Sequence, residues 1–184
     1  MARSAENTKA RILQAATNEF AAYGIAGARI ERIALEANCN KQAIYLYFGS
    51  KDGLFEAVYD KVVLTFIQSV PFDAANLPDY VLRLRKHYNK HPEVRRLTVW
   101  YEMERGNSIK LDIVRKTRAE NIEAIRKAQS TGIIGAKYTP EELMLLVVSI
   151  AKTGLDVELA ELDCPGDAFH EQAIIDAVKG LLKA

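Results

Sequence analysis

The chain has 184 residues, of which 49% are hydrophobic and 27% charged, so it can bury one medium core or two small units that share a helix. A formal net charge of +1 excludes a basic surface that coats nucleic acid indiscriminately. Two cysteines, Cys39 and Cys164, with no C-x-x-C or Cys/His spacing, exclude a disulfide framework and a structural zinc site. No segment alternates at the period of a strand, and the longest near-apolar run, 143–151, is too short to span a bilayer. The opening residues Met-Ala-Arg-Ser-Ala-Glu-Asn-Thr contain no apolar segment either, so a cytoplasmic, all-α protein with no membrane partner is expected.

In chain order, the first helix is expected from about residues 4–8 to Tyr23, with Gly24 as its stop and Ile12, Ala16 and Phe20 as its inward stripe. Ile30, Ile33, Ala34 and Ala37 then recur at helical spacing and end at Asn38, a residue that tolerates the left-handed conformation closing a helix. After a tight turn, Asn40 is a competent N-cap for a short helix whose Ile44 and Phe48 face inward. The outward face of that helix carries Lys41, Gln42, Ala43, Tyr45 and Leu46, a mixture of cation, amide, methyl and phenol groups suited to base edges and phosphates. Between Met1 and Asp52 seven basic side chains stand against five acidic ones, a mild bias toward DNA at this end.

These residues resemble the DNA-binding region of the TetR/AcrR family of bacterial transcriptional regulators. The resemblance rests on Ile33-Ala34, the turn from Asn38 to Asn40, Tyr45-Leu46-Tyr47-Phe48 and Ser50-Lys51. It extends upstream through Ile12-Leu13, Ala15-Ala16, Phe20 and Gly24. It implies a three-helix DNA-binding domain over 1–50 and a helical effector-binding and dimerisation domain over 51–184, with 51–68 as the connecting helix. Several positions depart from the pattern. Arg29 stands where many members have a capping Thr, Asn38 where a Gly often ends the helix, Cys39 where a Val is usual, and Gly53 where a carboxylate would complete a capping box at Ser50. Cys39 reads as a small core residue.

Beyond Ser50, the cap of the fourth helix, Leu54, Phe55, Val58, Val62 and Phe66 continue an apolar stripe. Pro71 and Pro78 bracket a loop. Tyr80, Val81, Leu84 and Tyr88 form one helix ending near His91-Pro92, and Pro92 opens the next, which runs to Gly106. A charged helix over about 108–129 ends at Gly132. Thr139-Pro140-Glu141-Glu142 is a strong start signal for the helix holding 143–151. Cys164-Pro165-Gly166-Asp167 turns the chain into the final helix. His87 and His91 lie four apart on one helix, but no third ligand accompanies them, so no metal and no cofactor is expected.

DNA contacts are accordingly expected from Arg29, Lys41, Gln42, Ala43, Tyr45, Tyr47 and Lys51. Lys41 and Gln42 are the base readers, while Tyr45, Tyr47 and Lys51 touch phosphate. The resemblance implies an effector cavity in the second domain, for which the aromatic and Met side chains Tyr88, Trp100 and Met103 are candidates. The helix over 143–151 is apolar on more faces than one protomer can cover. A homodimer interface is therefore expected through Leu143, Val147 and Ile150 with Ile174, Val178 and Leu181. The function so implied is that of a ligand-responsive repressor, binding palindromic double-stranded operator DNA as a dimer and released by a small-molecule effector. An activator or a constitutive DNA-binding protein of the same architecture is the alternative. No Gly-rich phosphate loop, nucleophile elbow or metal triad supports an enzyme.

Overall fold

The computed structural model describes residues 2–105, 112–153 and 167–183, and every regular element among them is helical. The helices are α1 (Ala2–Gly27), α2 (Ile30–Glu36), α3 (Lys41–Phe48), α4 (Lys51–Ser69), α5 (Leu77–Lys90), α6 (Pro92–Arg105), α7 (Asp112–Ser130), α8 (Pro140–Lys152) and α9 (Asp167–Leu182), with a 3-10 turn over Ala74–Asn76. Pro78 thus lies in the first turn of α5, where its missing N–H costs nothing. The turn expected over 164–167, Cys164 included, and the start of α7 expected at 108 lie outside the described residues. None of the described helices is long and apolar enough to cross a membrane.

The chain divides into two compact units, Met1–Thr65 with His91–Lys110, and Phe66–Lys90 with Leu111–Ala184. In the first, Ile12, Ala15, Ala16 and Phe20 of α1 are buried with Ile30, Ile33 and Ala34 of α2, Ile44 of α3 and Leu54, Phe55 and Val58 of α4. Leu97 and Tyr101 of α6 join the same cluster, and α6 packs along α1. Phe55 meets Phe20 edge-on at 5.1 Å and stacks on Tyr101 at 6.0 Å, and Tyr101 stacks on Tyr59 at 3.8 Å. Each such ring pair adds about 0.5–1.5 kcal/mol beyond the area it buries. The helix assigned from sequence to the effector domain therefore completes the core of the N-terminal unit. The periodicity of α6 shows that it has an apolar face but not which face it meets.

Gly24 interrupts α1 instead of ending it, with φ 65° and ψ −174°, a conformation open to glycine almost alone. Space is short there as well. A methyl group built on Gly24 would lie 2.8 Å from Cε3 of Trp100 in α6, so the indole rests against bare backbone. At Gly53 a Cβ would stand 2.2 Å from the Phe48 carbonyl oxygen. The close passage of α4 past the end of α3 therefore excludes the carboxylate that a capping box would place at this position.

In the second unit, α5 buries Leu77, Tyr80, Val81, Leu84, Arg85 and Tyr88 and packs on α8 and α9. Phe66 stacks on Tyr88 at 5.5 Å, and Phe72 meets Tyr80 edge-on at 4.8 Å. The buried Arg85 donates from Nη1 to the Thr153 carbonyl, placing its charge at the negative end of the α8 dipole. α8 starts on the expected Thr139 cap. The Thr139 hydroxyl accepts from the Glu142 N–H while the Glu142 carboxylate accepts from the Thr139 N–H, which holds that carboxyl below the usual range.

The expected dimer residues fall differently from the sequence expectation. Leu143, Val147, Ile174 and Val178 are buried within the chain itself, Val178 completely, and Ile150 and Leu181 are half-buried. The apolar excess of 143–151 is absorbed by α5, α7 and α9 of the same protomer, which a one-dimensional pattern could not reveal. The exposed positions of α8 include Leu145, at 69%, and Ser149 beside Glu141 and Glu142, and those of α9 include Ala173, Ala177 and Gly180 beside Gln172, Asp176 and Lys179.

Candidate nucleic-acid interface

The helix-turn-helix is built by short-range signals. The N–H of Ala37 returns to the Ile33 carbonyl, Asn38 takes φ 49°, and the Asn40 side chain accepts from the Ala43 N–H at 2.8 Å to start α3. Ile44 anchors α3 in the core, and its spacing turns Lys41, Gln42, Tyr45 and Leu46 outward, all exposed. Ala43 and Tyr47 are half-buried. Tyr47 packs on the core and lies edge-on to Phe48 at 6.3 Å. Gln42 and Tyr45 make no hydrogen bond among the described residues, so their polar groups are available to a ligand.

The cations are differently placed. Lys51 donates to the carbonyl of Ala26 at 3.3 Å, tying the start of α4 to the last turn of α1. Lys41 donates to Glu31 at 2.6 Å, joining α3 to α2. This bond and the lysine charge hold the Glu31 carboxyl below its ordinary range. Arg29 is the N-cap of α2 and its side chain makes no cap. Its backbone N–H donates instead to the Glu19 carboxylate at 2.8 Å, which also accepts from Nε of Arg32 at 2.7 Å.

Glu19, only 6% exposed, thus accepts the N–H of the α2 N-cap residue from α1, the bond that an N3 carboxylate makes in a capping box. Sequence reasoning missed it, although a signal was present. Glu19 lies three residues after Ala16 and beside Phe20 on the inward stripe of α1, and a carboxylate on that face requires a partner. Arg32 meets that need and also lies over the Tyr23 ring at 4.3 Å.

The residues expected at an effector cavity each lie within their own unit. Trp100 rests on Gly24, Met103 is 72% exposed, and Tyr88 is buried against Phe66. His87 lies edge-on to Phe66 at 5.2 Å, and Nδ1 of His91 sits 3.1 Å from Glu93. No group of three or more His, Cys, Asp or Glu side chains is arranged for a metal ion among the described residues. Cys39 is half-buried in the turn, and burial pushes its thiol pKa up, away from reactivity.

An all-helical chain with an N-terminal helix-turn-helix and a packed helical C-terminal unit belongs to a well-defined class of bacterial regulator. Residues 12–58 match the family described as bacterial regulatory proteins, tetR family, and residues 76–179 match the tetracyclin repressor-like C-terminal domain; the chain belongs to the TetR family. It is 42% identical over 152 residues to the HTH-type transcriptional repressor SCO4008 of Streptomyces coelicolor, covering 82% of this chain and 79% of that one. It is 36% identical over 99 residues to the HTH-type transcriptional repressor NicS of Pseudomonas putida, covering 50% and 47% of the two chains. Among solved structures, the transcriptional regulator SCO4942 from Streptomyces coelicolor superposes with a TM-score of 0.84 at 31% identity, covering 94% of this chain and 97% of that one. The hemolysin II regulator HlyIIR, at 23% identity and a TM-score of 0.67 over 98% and 99% of the chains, shares the fold.

Proposed function

We propose that this protein is a cytoplasmic transcriptional repressor that binds a palindromic double-stranded operator as a homodimer and leaves it when a small-molecule effector binds. The observation that carries the reading is the outward face of α3, where Lys41, Gln42, Tyr45 and Leu46 project together from a helix anchored by Ile44. In this reading Lys41 and Gln42 meet base edges, Ala43 approaches a thymine methyl, and Arg29, Tyr45, Tyr47 and Lys51 meet phosphates. Lys51 would exchange its single long bond to the Ala26 carbonyl for a phosphate oxygen. Such a charge-assisted bond is shorter and stronger. Both curated relatives are described as transcriptional repressors, which favours repression over activation. Family membership likewise favours a regulator over an enzyme.

Selection from a random duplex library tests the reading directly, a single enriched palindrome being the expected result. On that site Gln42→Ala should cost roughly 1–3 kcal/mol while leaving random duplex unaffected. Lys51→Ala should weaken both about equally and flatten the salt dependence. A Lys51→Ala variant that changes the selected sequence, beside a Gln42→Ala variant that does not, would reverse the two roles.

One recognition helix buries too little surface for tight specific binding, so two must sit about 34–36 Å apart in successive major grooves. The outward faces of α8 and α9 supply a self-complementary patch, with Leu145 beside Ser149 and the small residues Ala173, Ala177 and Gly180 permitting close helix approach. Leu145→Asp should therefore give a folded monomer that no longer binds the palindrome. Sedimentation showing an intact dimer would move the interface elsewhere. An effector binding within this family's helical C-terminal domain, whether or not Tyr88, Trp100 or Met103 touches it, must by reciprocity bind operator-loaded protein more weakly by the factor by which it weakens operator binding.

A further inference from the structure

The pairing of Glu31 with Lys41 has no place in a simple scheme in which every cation on this face seeks phosphate. Glu31 is in the first turn of α2 and Lys41 is the first residue of α3, so the bond crosses the turn that joins the two helices. Both side chains are more than half exposed, at 62% and 53%, and so stay open to a ligand while bonded to each other. An exposed ion pair of this kind adds little to stability, so folding alone gives it no evident purpose.

We propose that Glu31 is a specificity-determining residue of the DNA-reading surface, holding Lys41 off the phosphates of non-cognate duplex and aiming it at a base edge in the cognate one. The inference rests on the proposed DNA-binding function and adds to it a residue of α2 outside the expected contact set. Its physical basis is the chemistry of the ammonium group. Lysine carries three N–H donors on one point charge. One donor is committed to Glu31, which directs the stem along the α2–α3 turn and leaves two donors facing outward. A phosphate gains little from a lysine already neutralised by its own carboxylate, because binding releases no net counterion at that position and Glu31 adds repulsion. The N7 and O6 acceptors of a guanine carry no formal charge and are repelled by Glu31 far less than a phosphate is. The carboxylate therefore removes one unit of indiscriminate attraction while leaving the hydrogen bond that reads sequence.

The test uses the full-length protein with two probes, the palindrome selected by the wild type and a duplex of random sequence, each titrated over a series of salt concentrations. Glu31→Gln keeps the length and one acceptor but removes the charge. It should tighten binding to random duplex and steepen its log affinity against log salt slope by about 0.9, the value of one further phosphate neutralised. The preference for the palindrome over random duplex should fall roughly tenfold, and renewed selection should show relaxed choice at one base pair per half-site. In a Lys41→Met background the same Glu31→Gln change should leave the slope nearly untouched, since the effect runs through Lys41. An unchanged slope in the single variant overturns the proposal. So does an equal change in both backgrounds, which would make Glu31 a free negative charge acting alone. If the wild type enriches no sequence at all, the DNA-binding function itself fails, a result distinguishable from either.

Discussion

Replacing Gly24 with alanine is expected to destabilise the N-terminal unit by about 2–6 kcal/mol. Roughly 1–3 kcal/mol comes from forcing a Cβ into a backbone region that glycine alone occupies readily. A similar amount, about 1–3 kcal/mol, comes from overpacking, because the new methyl would stand 2.8 Å from the indole of Trp100. The flexible end of a side chain could yield to that contact, but the indole is a rigid ring held between α6 and α1. The chain contains a single tryptophan, so its fluorescence reports on this contact alone. Denaturant titration of Gly24→Ala should show a lower midpoint and an emission maximum already shifted to the red in the native baseline. Truncating the indole in a Trp100→Leu, Gly24→Ala double variant, whose unfolding is followed by circular dichroism because it carries no tryptophan, should recover the packing part and leave the backbone part. Midpoints that add without coupling would show that Trp100 and Gly24 do not meet in solution.

The second large effect is expected at Glu19. Its carboxylate receives the Arg29 N–H at the start of α2 and the Arg32 guanidinium, and is itself almost wholly buried. Glu19→Ala removes both bonds and leaves the Arg29 N–H without its partner. A hydrogen bond to a charged group contributes about 1.5–3 kcal/mol, and Arg32, with 39% of its side chain exposed, can recover part of its hydration. A net loss of about 2–3 kcal/mol follows. In a chain of this size that corresponds to a fall in Tm of roughly 4–12 °C. Glu19→Gln retains an acceptor for the Arg29 N–H and should lose about half as much. Because Arg29 precedes α2 as its N-cap and Arg32 lies on it, the alanine variant should also weaken DNA binding after its thermal loss is corrected by working well below Tm. Circular dichroism melts together with binding to the selected palindrome read both effects. An alanine variant that melts with the wild type would mean that the α2 terminus is satisfied by water.

The helix-turn-helix was legible because its signals are local. Asn38 in the left-handed region, Asn40 as an N-cap, Ser50 accepting from the Gly53 N–H, and the inward period of Ile33, Ile44 and Phe20 each act within a few residues, as does the Thr139 cap of α8 in the second unit. Such features survive in a one-dimensional reading. The exposure of Lys41, Gln42 and Tyr45 follows from the same periodicity once Ile44 is placed inside.

What the chain does across long sequence separations was decided only by tertiary packing. An apolar stripe states that a helix must be covered, not by what. Hence α6 carries Leu97 and Tyr101 into the core of the N-terminal unit, and Val147 and Val178 are buried by other helices of the same chain. A glycine that reads as a helix stop proves to be the seat of an indole 76 positions away, and a glutamate on an apolar face becomes the cap of another helix. Lys41 announces a cation at the start of a recognition helix. That Glu31 already holds it depends on the angle between α2 and α3, which only the folded turn at Asn38 sets.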